Sequence, residues 1–311
     1  MELLKSSRLT NNIVNTSALT IGTFDGMHLG HIHLIENMLA LSKKNNCPSV
    51  VITFNPNPFI VLNNLDKSKY HLINNRKRFE ILESLGVDYL CEIEFDNSLA
   101  QLSAYDFLSN FIINPFNPKD VVIGYDHHFG RGREGNSSFL DKYSSLHNYS
   151  LKVVDAYKIR GDIISSSLIR SLIKSGDILR SKELLGYNYS LRGTVIKGNS
   201  IGRELGFPTA NIDVKSIEQI CPQNGVYSIK SKINEDYYHG MCNIGYKPTL
   251  TSGDKMSIEV HFFNYNKFDL YNKKLDIEFV DYVRSERKFE NLEDLKLQLS
   301  KDKDYCTKIE R

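Results

Sequence analysis

The stretch TIGTFDGMHLGHIHL, Thr20 to Leu34, decides how the first half of the chain is built. Its opening residues close an apolar, β-rich run, TFDGMH makes a turn, and GHIHLIENMLA starts a helical pattern. A strand that turns straight into a helix places the turn at the carboxyl edge of a sheet, beside a helix N terminus. Free backbone N–H groups and the helix dipole favour anions at such a place. Gly22 and Gly26 let the backbone approach a ligand closely. His28 and His31 at the mouth can donate to phosphate oxygens as charge shifts during group transfer. The same pair with His33 could instead ligate zinc, but no cysteine lies near them and no further partner is evident. His33 reads as an ordinary helix residue, and the strand-turn-helix context favours anion binding.

Outward from this turn the same alternation repeats. ALTIG, SVVITF, VDYLCEIEF, DVVIGYD and LKVVDA are β-rich and mostly non-alternating, as strands buried on both faces should be. HIHLIENMLALSKK, RKRFEILESLG and LSAYDFLSNFII space their apolar residues as helices do, with Gly86 a C-cap for the second. The pattern predicts a helix-covered parallel sheet whose ligand lies beyond the carboxyl ends of its strands. After about Leu185 the texture changes. SLRGTVIKG, GVYSIKSKI, YYHGMCNIG, MSIEVHFF and KKLDIEFVDYV are strands joined by turns with Gly, Asn and Asp, and LEDLKLQLSKD is a closing helix. Consecutive strands with few helices predict a small antiparallel barrel. The boundary falls near Gly186 to Ser190, which gives domains of residues 1–186 and 187–311.

Bulk properties narrow the class. A chain of 311 residues with 41% hydrophobic and 24% charged residues has the composition of a globular protein of about two domains. The net charge of +2 gives no reason to expect nucleic acid. Cys47, Cys91, Cys221, Cys242 and Cys306 are scattered without a C-x-x-C pair, which suits reduced thiols rather than a disulfide framework. MELLKSSRLTNN lacks the apolar core of a secretion signal, and no apolar run reaches membrane-spanning length. The expectation is a soluble, cytoplasmic protein without a membrane partner, a monomer or weak oligomer.

Further stretches carry chemistry. In ISSSLIR, Ser165, Ser166 and Ser167 can cap a helix that carries Arg170 one turn in, so that hydroxyls, N–H groups and a guanidinium converge on phosphates. A plain capped helix with a solvated Arg reads the same way. GRGREG, residues 130–135, fits G-x-G-x-x-G with Asp155 about twenty residues on. It follows a late strand, however, and its two arginines suit a phosphate-contacting loop better than a dinucleotide turn. In the second half no G-x-x-x-x-G-K-[ST] occurs. GNSIGRELGFPTANI is the alternative phosphate cradle: Gly198, Gly202 and Gly206 permit a loop whose N–H groups face phosphates, and Pro208 stiffens the exit. Thr209 and Asn211 present oxygens of the type that Mg²⁺ accepts. A glycine-rich hairpin before an edge strand is the plain alternative. In SIEVHFF, alternation puts Glu259 and His261 on one face of a strand and Ile258 and Val260 on the other.

These motifs carry a resemblance. GTFDGMHLGH resembles the G-x-F-D-G-x-H-x-G-H signature of the FMN adenylyltransferase half of prokaryotic bifunctional riboflavin kinase/FAD synthetases. TFNPNP resembles their T-F-x-P-H-P loop, GYDHHFGRGREGN their G-x-D-F-x-F-G-x-G-R-x-G-D loop, and ISSSLIR their I-S-S-T-x-I-R motif. GRELGFPTAN is similar to the flavokinase motif G-R-x-L-G-F-P-T-A-N, and the resemblance continues nearly to the chain end. The departures are Asn57 for His, Ser167 for Thr, His127 and His128 in the aromatic loop, and Asn264 for Asp.

The resemblance implies an α/β Rossmann-like nucleotidyltransferase domain with a parallel sheet, then an antiparallel β-barrel riboflavin kinase domain with a closing helix. It implies that riboflavin plus ATP gives FMN in the second, and that FMN plus ATP gives FAD and pyrophosphate in the first, both with Mg²⁺. His28, His31 and Arg170 would stabilise the transferring phosphate, and Glu259 would be the kinase base. ATP would contact Gly22, Phe24, Asp25, Gly26, Gly30, Ser165, Ser166 and Ser167 in one domain, and Gly202, Arg203, Gly206 and Pro208 in the other. Asn55, Asp126 and Arg284 would contact the flavin, and Thr209 and Asn211 the metal. Two rival readings are adenylylation of a different phosphate ester and a flavin-binding regulator without catalysis.

Overall fold

Glu2–Lys5 (β1), Ser17–Ile21 (β2), Ser49–Phe54 (β3), Tyr89–Ile93 (β4), Pro118–Gly124 (β5) and Ser150–Val154 (β6) form one parallel sheet in the order β1-β4-β3-β2-β5-β6. The computed structural model in which this sheet is seen describes residues 1–10, 12–66, 70–198, 202, 205–247, 255–265 and 270–309. Two units divide the chain: Met1–Asp66 with Asn75–Ser165, and Lys67–Asn74 with Ser166–Arg311.

In the first unit β2 and β3 are buried along their whole length, which is why their sequences are unbroken apolar runs rather than alternating ones. The helices are Leu29–Asn45 (α1), Pro58–Leu62 (α2), Asn75–Ser84 (α3), Asn97–Ala100 (α4), Ala104–Leu108 (α5), Asn114–Phe116 (α6) and Ser137–His147 (α7). Leu34, Ile35 and Met38 form the buried stripe of α1, which ends at a left-handed Asn46 with Lys43 and Lys44 in its last turn. The sheet order reverses beside β2, with β3 and β4 on one side and β5 and β6 on the other. Chains leaving β2 and β5 therefore diverge and open a crevice at their carboxyl ends.

Two local features go beyond the sequence reading. LSAYDFLSNFII is helical from Ala104 onward, capped by Ser103, but it widens over Ser109–Ile113 before the helical backbone runs on through Phe116. ELLK, which carries no strand signal of its own, is β1, a four-residue edge strand parallel to β4.

A short hairpin, Lys158–Ile159 (β7) with Asp162–Ile163 (β8), closes the first unit. The second unit begins with Ser166–Lys174 (α8) and Ile178–Leu185 (α9). Its body is a closed barrel of Ser190–Ile196 (β9), Ala210–Ile212 (β10), Gly225–Ile233 (β11), Asp236–Lys247 (β12), Lys255–Phe262 (β13) and Lys274–Arg284 (β14), ordered β10-β13-β12-β11-β14-β9. Every pairing in it is antiparallel. Tyr227, Ile229, Cys242, Ile244, Ile258, Val260, Ile277 and Phe279 are buried, as side chains that fill a small barrel must be. The closing helix Leu292–Ile309 (α10) buries Asp302 and Cys306. Residues 70–74 join this unit because the His71 carbonyl accepts from the Ile220 N–H at 2.9 Å.

Candidate active sites

The first candidate is the turn from β2 into α1. Its backbone is unusual: Phe24, Gly26 and Met27 all sit at positive φ, 47°, 92° and 40°. Gly26 meets this requirement without a Cβ penalty, whereas Phe24 and Met27 store strain of order 1 kcal/mol or more each. Burial holds them there, since Phe24, Asp25, Met27 and His28 are all buried. The Thr23 carbonyl accepts from Thr53 Oγ1 at 3.3 Å and from Arg78 Nη1 at 3.2 Å. The loop is thus pinned from β3 and from α3.

His28 is the N-cap of α1. Its Nδ1 accepts the His31 N–H at 3.2 Å, so the proton of the neutral ring resides on Nε2. The His28 and His31 rings stack with centroids 3.6 Å apart and 16° between planes. Gly30 makes this possible, since a Cβ there would lie 3.2 Å from the His28 ring. Gly22 likewise lies under Phe24, where a Cβ would come within 3.1 Å of the ring. The H-x-G-H spacing is therefore a packing device: one histidine caps the helix, the other stacks on it, and the glycine between leaves them room. His33 packs against Tyr157 with centroids 5.1 Å apart, the ordinary helix residue it reads as.

Asn55 follows β3 and Asp126 follows β5, so both stand at the same sheet edge as the turn. Asp126 is exposed on its loop. Sequence reasoning missed Arg78. It is 6% exposed, donates to Asn75 Oδ1 at 2.8 Å, and lies 3.6 Å from Glu92, which also pairs with Lys5. Burial pulls its pKa down, and the carboxylates of Glu92 and Asp25 oppose that. In sequence it is one of three basic residues in RKR, with nothing to separate it from its solvated neighbours.

Ser165 immediately precedes α8, Ser166 and Ser167 open it, and Arg170 lies one turn in. Arg170 Nε donates to the Tyr70 carbonyl at 3.0 Å, and its guanidinium carbon lies 3.9 Å above the Tyr70 ring. That stacking fixes the direction of its side chain within the second unit.

The second candidate lies on the outer face of the barrel. Three neighbouring strands put Asn211, Glu259 and Asn243 directly opposite one another, so the three side chains share one face. Glu259 is half-buried there, while Ile258 and Val260 on either side point inward and are buried. Thr209 Oγ1 donates to Glu259 Oε2 at 3.3 Å. The Pro208 carbonyl is bonded to His261 Nδ1 at 2.8 Å. A Cβ on Gly198 would overlap the Asn211 amide, so the backbone at Gly198 passes directly beside that residue. The Phe207 N–H donates to the Gly202 carbonyl at 2.7 Å, and Gly206 lies between them in the chain at φ 85°. Arg203 lies outside the described residues.

Oxygen donors from Thr209, Asn211 and Glu259 suit a hard cation such as Mg²⁺, which favours oxygens and is often held jointly with substrate phosphates. Among the described residues no cluster of three or more His, Cys, Asp or Glu could hold a metal without such help. Sequence reasoning singled out neither Asn243 nor Asp302. Arg284 donates through Nε to Asp302 Oδ1 at 2.9 Å and through Nη2 to Oδ2 at 2.7 Å, and through Nη1 to the Ser285 carbonyl at 2.9 Å. The structure thus ties this guanidinium to the closing helix.

Comparisons with known proteins bear on both sites. The FAD synthetase family model matches residues 10–168, and the riboflavin kinase family model residues 185–310. A bifunctional riboflavin kinase/FMN adenylyltransferase of Buchnera aphidicola is 37% identical over 97% of this chain and 96% of its own. The protein of the same description from Listeria monocytogenes is 34% identical over 91% of this chain and 89% of its own. A crystal structure described as a macrolide-efflux protein from Streptococcus pneumoniae superposes with a TM-score of 0.88 at 28% identity, over 99% of both chains. Among the described residues no helix is long and apolar enough to cross a membrane.

Proposed function

The chain belongs to the family of bifunctional riboflavin kinase/FMN adenylyltransferases, and from that membership we propose that its two activities divide between residues 187–311 and residues 1–186. Residues 187–311 transfer the γ-phosphate of ATP to the 5′-hydroxyl of riboflavin, giving FMN and ADP. Residues 1–186 transfer AMP from ATP to the FMN phosphate, giving FAD and pyrophosphate. The observation that carries the reading is the Glu259 carboxylate, held by the Thr209 hydroxyl at 3.3 Å with Asn211 in register beside it.

In the kinase step Glu259 takes the proton of the attacking hydroxyl as that oxygen bonds to the γ-phosphorus and ADP departs. The hydrogen bond from Thr209 holds the carboxylate in place. Thr209 and Asn211 would hold Mg²⁺, which offsets the charge of the ATP phosphates. The glycine loop supplies N–H groups for the same phosphates.

In the adenylyl step an FMN phosphate oxygen bonds to the α-phosphorus and pyrophosphate leaves. No protein atom becomes covalently attached, so alignment and charge stabilisation are the tasks left to the protein. Because His28 Nδ1 accepts from the helix, Nε2–H is the ring's donor toward the charge that develops. Asn55 and Asp126 stand at the sheet edge where the flavin would be received. The five free cysteines suit a reducing, cytoplasmic setting.

The test is incubation of the purified protein with riboflavin and Mg-ATP, followed by chromatography of the flavins. FMN and FAD together are expected. FMN without FAD would overturn the assignment of residues 1–186; no FMN would overturn that of residues 187–311, and failure to convert supplied FMN to FAD would then overturn the other as well.

A further inference from the structure

Thr209 and Asn211 are positioned in different ways. Asn211 lies inside β10, paired to Ile196 of β9 and Glu259 of β13. Thr209 precedes the strand and lacks that ladder. Its place depends on the residue before it, and Pro208 has no N–H with which to anchor itself. What holds Pro208 is His261, whose Nδ1 lies 2.8 Å from the Pro208 carbonyl. A carbonyl only accepts, so Nδ1 is the donor and carries the proton.

His261 is itself firmly held. It is 7% exposed, edge-on to Phe207 at 5.3 Å and to Phe263 at 5.7 Å, and opposite Met241 on β12. Phe207, Met241 and Phe263 belong to the apolar cluster that Cys306 of α10 completes. Residues 259 and 261 share one face of β13, roughly 7 Å apart along the strand. Glu259 meets the Thr209 side chain, and His261 meets the backbone one residue earlier. One strand thus braces the end of the phosphate loop at two successive points.

We propose that His261 is a positioning residue of the kinase site, which sets the Pro208–Thr209 segment so that the Thr209 hydroxyl faces Glu259 and the loop is shaped for Mg-ATP. This rests on the kinase reading above. Burial lowers the His261 pKa and the Lys303 charge on α10 adds to that, against the opposing effect of the Pro208 bond, which fits a neutral ring donating through Nδ1.

Two substitutions test it in the full-length protein. His261→Leu keeps the apolar volume but has no donor, and His261→Asn can place an amide N–H near the same carbonyl. The Leu variant should raise KM for Mg-ATP in FMN formation roughly 10- to 100-fold, the scale of a misplaced reacting group. Its KM for riboflavin should change far less. The Asn variant should return KM for Mg-ATP close to wild type, and both should convert supplied FMN to FAD at the wild-type rate. A Leu variant with unchanged KM for Mg-ATP would overturn the proposal, as would an Asn variant that folds but is not rescued. Should the Leu variant fail to fold, the Asn variant decides alone on the same criterion. Wild-type protein that makes no FMN would count instead against the kinase reading.

Discussion

His127 sits in the loop after β5 with its ring stacked on Phe129, centroids 5.7 Å apart and 27° between planes. Its Nε2 is buried, with no hydrogen-bond partner among the described residues. Burial, helped by the charges of His128 and Arg133, pushes its pKa from the ordinary 6.5 down to about 4. The native state therefore binds this proton less readily than the unfolded chain does. The gap corresponds to roughly 3 kcal/mol of stability at most, intact above about pH 6.5 and lost progressively as the pH falls toward 4. His127→Phe, which keeps the stacking and removes the titration, should lose less stability over that range. Urea unfolding of both proteins between pH 7.5 and 4 checks this, and parallel curves would refute it. Other departures noted in the sequence also find local reasons. Asn57 caps α2, its Oδ1 accepting from the Phe59 N–H at 2.9 Å. Asn264 takes φ 56°, a left-handed conformation that Asn tolerates well. The turn that carries His28 and His31 was legible because the strand-turn-helix pattern around them is local. The burial of Arg78 was not, because it depends on partners in the turn after β2 and in β4.

At the scale of elements, a buried ion pair helps to hold α10 on the barrel. Gln298, Asp302 and Cys306 recur every four residues and line one side of the helix, which meets Arg284 at the end of β14. Gln298 Nε2 donates to Asp302 Oδ1 at 2.8 Å, so the carboxylate accepts from two side chains while 2% exposed. Removing one member of such a pair strands the other without compensation. Asp302→Ala should destabilise the barrel by about 3 kcal/mol, read as a lowered denaturant midpoint, and an unmoved midpoint would show that the pair contributes nothing. In sequence, Asp302 is one charge among several in LSKDKDYC and reads as solvated. The barrel strands were legible because alternation and turn residues are local signals, and so was α1. The widening within LSAYDFLSNFII was not, because its apolar spacing continues through the wider turn and the helical backbone runs on to Phe116.

At the scale of the molecule, composition changes near Gly186, whereas the contacts divide the chain at Ser165 and gather residues 67–74 into the barrel unit. Composition reports texture along the chain. The bond from Ile220 N–H to the His71 carbonyl links residues far apart in sequence, which no local pattern foretells. His28 lies in the first unit and Glu259 in the second, so each reaction should be removable alone. Glu259→Gln keeps an oxygen for the Thr209 hydroxyl but no longer accepts a proton at neutral pH. FMN formation should fall roughly 10²- to 10⁴-fold, while supplied FMN is still converted to FAD. His28→Asn is the matching change, since its Oδ1 can still cap α1 while the imidazole N–H is lost. FAD formation should fall roughly 10²- to 10³-fold, with riboflavin still phosphorylated at the wild-type rate. Each variant is assayed once with riboflavin and once with FMN, and circular dichroism verifies folding. A folded variant that lost both reactions would mean that the two sites do not act separately.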